Sequence, residues 1–139
     1  MTSIISATIT DEPHFHDLDP MNVVWHGNYL QYFEKARAAL LRKIDYGYEQ
    51  MLAGGHVWPV VDMNVRYYRP LKLFQGFTVQ ADLVEWEVRM KIRYLVRDAA
   101  TGAKVTRGHS VQVAVDSATE EMLWETPKIF RDRIAAYLP

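Results

Sequence analysis

One stretch of this chain carries a helical period, and nearly everything after it alternates. From Tyr29 to about Tyr46, the residues Tyr29, Leu30, Phe33, Ala36, Arg37, Leu40, Leu41 and Ile44 recur at three- and four-residue spacings. That is the period of a single helix face. Ala36, Ala38, Ala39, Leu40 and Leu41 widen the face, so the helix is expected to be buried broadly. Asn28 stands at the N-cap position, where a side-chain oxygen accepts from a first-turn N–H. Gly47 is the expected terminator, and Gly54-Gly55 the turn beyond it.

The remaining segments read as strands. Ser3 to Thr10 mixes β-branched with small polar residues. Val57 to Tyr68 sets Val61, Met63, Val65 and Tyr67 on one side and Asp62, Asn64, Arg66 and Tyr68 on the other, ending at Pro70. Phe77 to Trp86 groups Phe77, Val79, Ala81 and Leu83. Met90, Ile92, Tyr94 and Val96 then oppose Arg89, Lys91, Arg93 and Arg97. Thr101-Gly102 marks a hairpin turn before a long strand from Val105 to Val115. Pro127 opens a short terminal helix, with Thr126 as its expected cap. Strands joined by short turns pair antiparallel. The expected architecture is therefore α+β: one long helix covering the apolar face of a curved, mainly antiparallel five-stranded sheet. No linker or repeat divides residues 1–139, so a single domain is expected.

Composition excludes several classes of function. The chain has no cysteine, which removes disulfides, thiolate metal sites and a cysteine nucleophile. Sixteen basic and seventeen acidic residues give a net charge of −1, against the basic excess of a nucleic-acid binder. No apolar run reaches the length of a membrane span. Met1 to Asp11 lacks the pattern of a signal peptide, so a cytoplasmic location is expected. His14 and His16 alternate on an extended segment, but no third ligand follows at a metal-site spacing, and neither metal nor cofactor is expected.

The chemistry concentrates in His14-Phe15-His16-Asp17-Leu18-Asp19-Pro20-Met21-Asn22-Val23-Val24-Trp25-His26-Gly27-Asn28-Tyr29. Two carboxylates and three histidines fall within these sixteen residues, just ahead of a helix start. A helix N-terminus offers free N–H groups and partial positive charge, which polarise a carbonyl and stabilise an oxyanion. A carboxylate held nearby attacks that carbonyl or activates water. Taken alone, Asp19 before Pro20 is as well explained as a turn former, and composition does not single out a thioester.

The segment Asp19 to Leu30, followed by Tyr32-Phe33-Glu34-Lys35-Ala36-Arg37, closely resembles the active-site signature of the 4-hydroxybenzoyl-CoA thioesterase family. It is especially similar to the bacterial acyl-CoA thioesterases associated with the Tol–Pal system. Val65 to Leu71 resembles the family's second strand with its closing Arg-Pro, and Gly108-His109 with Val111 to Val115 its last strand. The resemblance implies a hotdog fold, with the central helix wrapped by the sheet, and hydrolysis of an acyl thioester of coenzyme A or acyl-carrier protein. It implies Asp19 as the catalytic carboxylate, acting as general base or as nucleophile. The carbonyl-binding N–H falls at His26, whose side chain is placed to orient water or substrate, and Asn28 matches the family's Asn near the helix start. Trp25 and Tyr29 are the expected substrate contacts, with core or dimer packing as the other reading of these aromatics. The family's dimers, often paired into tetramers, hold their active sites between subunits. Where members commonly have glycine this chain has Asn22, the non-glycine residue that best tolerates positive φ.

Two other functions compete. His14-Phe15 resembles the His-Phe-Pro opening of hotdog dehydratases, though no Pro-Gly pattern follows. A non-catalytic acyl-binding protein is the third reading. The cations Arg89, Lys91, Arg93 and Arg97, with Arg66, Arg69, Lys104 and Arg107, are either a solvated strand face or contacts for coenzyme A phosphates. Asp17 is a second carboxylate that supports the loop.

Overall fold

The alternating runs become strands because their apolar halves meet on one face. In the computed structural model, which describes residues 3–139, the elements are β1 (Ile5–Asp11), α1 (Tyr29–Lys43), α2 (Tyr48–Ala53), β2 (His56–Val57) and β3 (Val60–Tyr67). They are followed by β4 (Phe77–Glu85), β5 (Met90–Asp98), β6 (Lys104–Gln112), β7 (Val115–Asp116) and α3 (Lys128–Ala135). Five strands form one sheet in the order β1-β4-β5-β6-β3, every neighbouring pair antiparallel. Val79 pairs with Val96 and Leu83 with Ile92 in the β4–β5 ladder, and all four are fully buried. Helix α1 lies across this face, burying Tyr29, Tyr32, Phe33, Ala36, Leu40 and Leu41. This is the α+β hotdog arrangement that the resemblance implied.

The distance between helix and sheet is set at one point. Phe33 stacks on Tyr94 of β5, with ring centroids 4.5 Å apart and planes within 5°. The same ring presses on β6 at Gly108, where an added Cβ would stand 2.7 Å from Phe33 Cε2 and collide with the Asn64 carbonyl. Only a residue without a side chain lets α1 settle this close. Tyr94 in turn shares a 2.7 Å hydrogen bond with Ser110, so its hydroxyl is satisfied inside the core.

Several local expectations are corrected. Helix α1 ends at Lys43, and its terminator is Asp45, at φ 54, rather than Gly47. The short polar side chain of Asp tolerates the left-handed region, and the Tyr46 N–H reaches back to the Leu41 carbonyl at 2.9 Å. Gly47 instead precedes α2, an unexpected helix. The expected strand 57–68 breaks at Pro59, which has no N–H for a ladder. The strand 105–115 breaks with it, so β2 pairs with β7 in a small second sheet. Thr126 does not cap α3: its hydroxyl donates to the carbonyls of Trp86 (2.7 Å) and Glu87 (3.0 Å), tying the terminal helix to the β4–β5 hairpin. Among the described residues no helix is long and apolar enough to cross a membrane.

Filling the gap at Gly108 is expected to lift the helix. Gly108→Ala should destabilise the fold by about 2–3 kcal/mol through overpacking against Phe33 and Asn64. Urea unfolding measures it, and a loss below about 0.5 kcal/mol would show that the close approach is not required.

Candidate active site

The loop between β1 and α1 folds into a small hairpin, and its ladder places each of the expected site residues. The Asp19 N–H donates to the Val23 carbonyl (2.8 Å) and the Asn22 N–H to the Asp19 carbonyl (2.9 Å). Leu18 bridges Val24, and the Trp25 N–H donates to the Asp17 carbonyl (2.9 Å). The tip closes because Asn22 adopts φ 62, the left-handed geometry for which Asn is suited. One strand of the hairpin thus carries Asp17 and Asp19, and the other runs straight into the helix. The Val24 N–H anchors it to the Leu71 carbonyl beyond β3 (2.9 Å).

Asp19 is held by one of its two oxygens. Oδ1 accepts from the Met21 N–H at 2.8 Å and the Val23 N–H at 3.4 Å. Oδ2 has no hydrogen-bond partner among the described residues. A carboxylate fixed in this way keeps a free, oriented oxygen for a proton or an electrophile.

The helix head is not the one that sequence suggested. A 3-10 turn over His26–Asn28 precedes α1, so the helical backbone begins at His26 with Trp25 in the cap position. Asn28 is already in helical conformation and makes no cap; its Nδ2 donates to the Asp17 carbonyl at 2.8 Å. That carbonyl therefore receives two donors, Trp25 N–H and Asn28 Nδ2, and joins the hairpin to the helix. The Asn28 N–H is satisfied by the Trp25 carbonyl (2.9 Å). The N–H groups of His26 and Gly27 precede it, where no helical carbonyl is available to them.

Around this head the aromatics divide into exposed and buried. Trp25 is 49% exposed and His26 is exposed, their rings 5.1 Å apart. The Trp25 ring folds over Gly27, where any Cβ would collide with it. Tyr29, expected to contact a ligand, is only 2% exposed; its ring lies edge-on to Tyr32 and Tyr67 beneath the loop. Tyr67 of β3 donates its hydroxyl to the His26 carbonyl at 2.6 Å. Burial pushes the Tyr29, Tyr32 and Tyr67 phenols up, and the Asp17 carboxylate adds to the shift at Tyr32. All three stay protonated, so Tyr67 remains a donor at any ordinary pH.

Asp17 is buried, and its Oδ2 accepts the His14 N–H at 2.9 Å. It supports the loop, as its position suggested. Gly27 and Tyr67 were not anticipated as parts of the site. The glycine's signal was its place at the helix head; Tyr67 gave none, since it reads as one more apolar residue of an alternating strand. Among the described residues, no cluster of three or more His, Asp or Glu side chains is placed to hold a metal. Of the cationic stripe at β5, Arg89, in the turn just before the strand, is engaged by Glu85 at 2.6 Å.

A second feature lies farther along α1. A cleft of about 860 Å³ opens between α1, α2 and the start of β3, its apolar walls including Leu41, Met51, Trp58 and Val60.

The sequence profile of the thioesterase-like superfamily matches residues 13–135. A Synechocystis protein named as an esterase is 29% identical over 120 residues, which are 86% of this chain and 72% of its own. The Escherichia coli acyl-CoA thioester hydrolase YbgC is 29% identical over 70 residues, 50% of this chain and 52% of its length. The solved structure of DHNA-CoA thioesterase from Staphylococcus aureus superposes with a TM-score of 0.85 at 25% identity, covering 96% of this chain and 89% of that one.

Proposed function

The chain belongs to the thioesterase-like superfamily, and we propose that it hydrolyses an acyl thioester, of coenzyme A or of acyl-carrier protein, to the free acid and the thiol. The observation that carries this reading is the tethering of Asp19 by Oδ1 alone, in the same hairpin that leads into a helix head with free N–H groups. A thioester carbonyl seated at the His26 and Gly27 N–H groups has its developing negative charge stabilised by them and by the helix dipole. Oδ2 of Asp19 takes the proton of a water whose oxygen bonds to the acyl carbon. The C–S bond then breaks, and the thiolate leaves with that proton. Asp19 acting as nucleophile is the other route: Oδ2 bonds to the acyl carbon, the C–S bond breaks and the thiolate leaves, and water cleaves the resulting anhydride to the free acid and the Asp19 carboxylate, its proton passing to the thiolate. Asn28 acts on the reaction only through the Asp17 carbonyl, as a positioning residue. Trp25 offers exposed aromatic surface to the substrate.

The active unit in this reading is a dimer. Strand β3 closes one end of the sheet, and its Val60 and Val61 are 42% and 57% exposed. An open apolar edge is a template for pairing with another strand. Two copies of β3 paired antiparallel about a two-fold axis bring the Val60 end of one beside the Tyr67 end of the other. The apolar cleft next to α1 of one subunit then faces the helix head of its mate and receives the acyl group.

Thiol release from short, long and aromatic acyl-CoAs and from acyl-carrier protein tests the chemistry. Asp19→Asn retains the acceptor for Met21 and should fold normally while kcat falls by about 10²–10⁴-fold. Turnover preserved in that variant would remove Asp19 from the mechanism. Sedimentation equilibrium should give a whole-number multiple of the 16.1 kDa chain, at least two; a single-chain mass with full activity would refute the shared site.

A further inference from the structure

Four buried side-chain atoms among the described residues make no hydrogen bond: Tyr32 Oη, His56 Nδ1, Thr106 Oγ1 and Gln112 Oε1. A polar atom left unpaired in the interior costs stability, so each calls for an explanation. The Tyr32 hydroxyl faces the Asp17 carboxylate, and Thr106 faces the Tyr29 hydroxyl. The His56 ring is only half-buried. Gln112 differs from all three.

Gln112 ends β6 and is 6% exposed. Its Nε2 donates to the Trp58 carbonyl at 2.8 Å. A carbonyl accepts only from the NH2 side of an amide, so this bond fixes which way the amide faces and leaves Oε1 on the other branch. The surroundings bring that oxygen no donor. In the ladders Gln112 stands beside Met90 of β5 and Val60 of β3, whose side chains carry none. The Trp58 indole N–H is taken by the Tyr46 hydroxyl at 3.1 Å. Ser110, two residues earlier on the same face of β6, is already paired with Tyr94. Arg37 and Arg42 reach the same cleft, and neither bonds Oε1.

That cleft is the one between α1, α2 and the start of β3, where Gln112 joins Leu41, Met51 and Val60 in the wall. Its volume of about 860 Å³ suits a long chain rather than a single ring. A plain alkyl chain would leave Oε1 desolvated and unpaired, whereas a hydroxyl on the chain donates to it. With two β3 strands paired, Gln112 lies two strand spacings, about 10 Å, from the β3 of the mate. The helix head of the mate is tied to that strand by the bond from Tyr67 to the His26 carbonyl. A hydroxyl at Gln112 therefore lies far along the chain from the thioester carbonyl.

We propose that Gln112 is a specificity residue that selects acyl groups with a hydroxyl near the far end of an aliphatic chain, the hydroxyl donating to Oε1. This rests on the thioesterase reading and names the class of substrate for that site.

The test compares kcat/KM for ω-hydroxydodecanoyl-CoA, β-hydroxydodecanoyl-CoA and dodecanoyl-CoA. The wild type should favour the ω-hydroxy substrate over the plain one by at least about tenfold, as expected of a site built to bond a hydroxyl. The β-hydroxy isomer should gain nothing. In Gln112→Met the ω-hydroxy advantage should collapse toward unity. Loss of the amide's bond to Trp58 alone would slow both substrates together and leave that ratio unchanged. No ω-hydroxy advantage in the wild type, an advantage for the β isomer alone, or an unchanged ratio in the folded variant overturns the proposal. Calorimetry on the wild type with the free acids needs neither a variant nor turnover, and ω-hydroxydodecanoic acid should bind at least about tenfold more tightly than dodecanoic acid. Equal binding overturns the proposal. Hydrolysis of the ω-hydroxy and plain thioesters with equal efficiency sinks this inference alone. Tighter binding of the ω-hydroxy acid with no turnover of any thioester sinks the hydrolase reading alone.

Discussion

Everything at the candidate site depends on how closely α1 lies on the sheet, and that is fixed where Phe33 meets Gly108. The ring is held from one side by Tyr94 and has a missing side chain to press against on the other. Close-packed interiors transmit small displacements rather than absorb them. A helix raised here carries its head with it, and with the head go the His26 and Gly27 N–H groups. Tyr67 reports the same constraint from the strand side, since its 2.6 Å bond to the His26 carbonyl forms only when helix and β3 keep their present separation.

The second dependence is smaller in scale. A single carbonyl, that of Asp17, receives both the Trp25 N–H and the Asn28 side chain. Asp19 lies two residues from this junction on one strand of the loop, and the helix head begins next to Trp25 on the other. The loop therefore behaves as an extension of the helix, and the distance from carboxylate to free N–H groups is set by a short ladder rather than by a flexible connection. Preorganisation of this kind is what an oxyanion-stabilising site requires, because donors must already be in place when charge develops.

Much of the fold was legible in the sequence for a simple reason: the apolar period changes from helical to alternating, and in β4 and β5 the apolar residues that alternate are the ones that are buried. Phe77 to Leu83 and Met90 to Val96 followed this rule. Two of the places where sequence reading failed share a cause, which is competition for polar groups by distant partners. Asn28 and Thr126 both stand where caps belong, but each finds a carbonyl outside its helix: Asp17 for one, Trp86 and Glu87 for the other. No local pattern encodes such partners. Asp45 in place of Gly47, and the break at Pro59, were visible as residue types, yet a neighbouring glycine and a long alternating run outweighed them. At the site, the loop stood out because carboxylates and histidines crowd it, and the resemblance to the family signature picked out Asp19 and His26 within it. Tyr67 comes from a strand thirty-eight residues past Tyr29 in the chain, and only the tertiary structure brings their rings within 5.3 Å.

The proposed chemistry requires a thioester carbonyl seated between Asp19 and the head of α1. A crystal structure with a non-hydrolysable acyl-CoA analogue tests it directly. The carbonyl oxygen should lie about 3 Å from the N–H of His26 or Gly27, with the acyl carbon next to Asp19 Oδ2. An analogue bound with its carbonyl away from both groups would contradict the account.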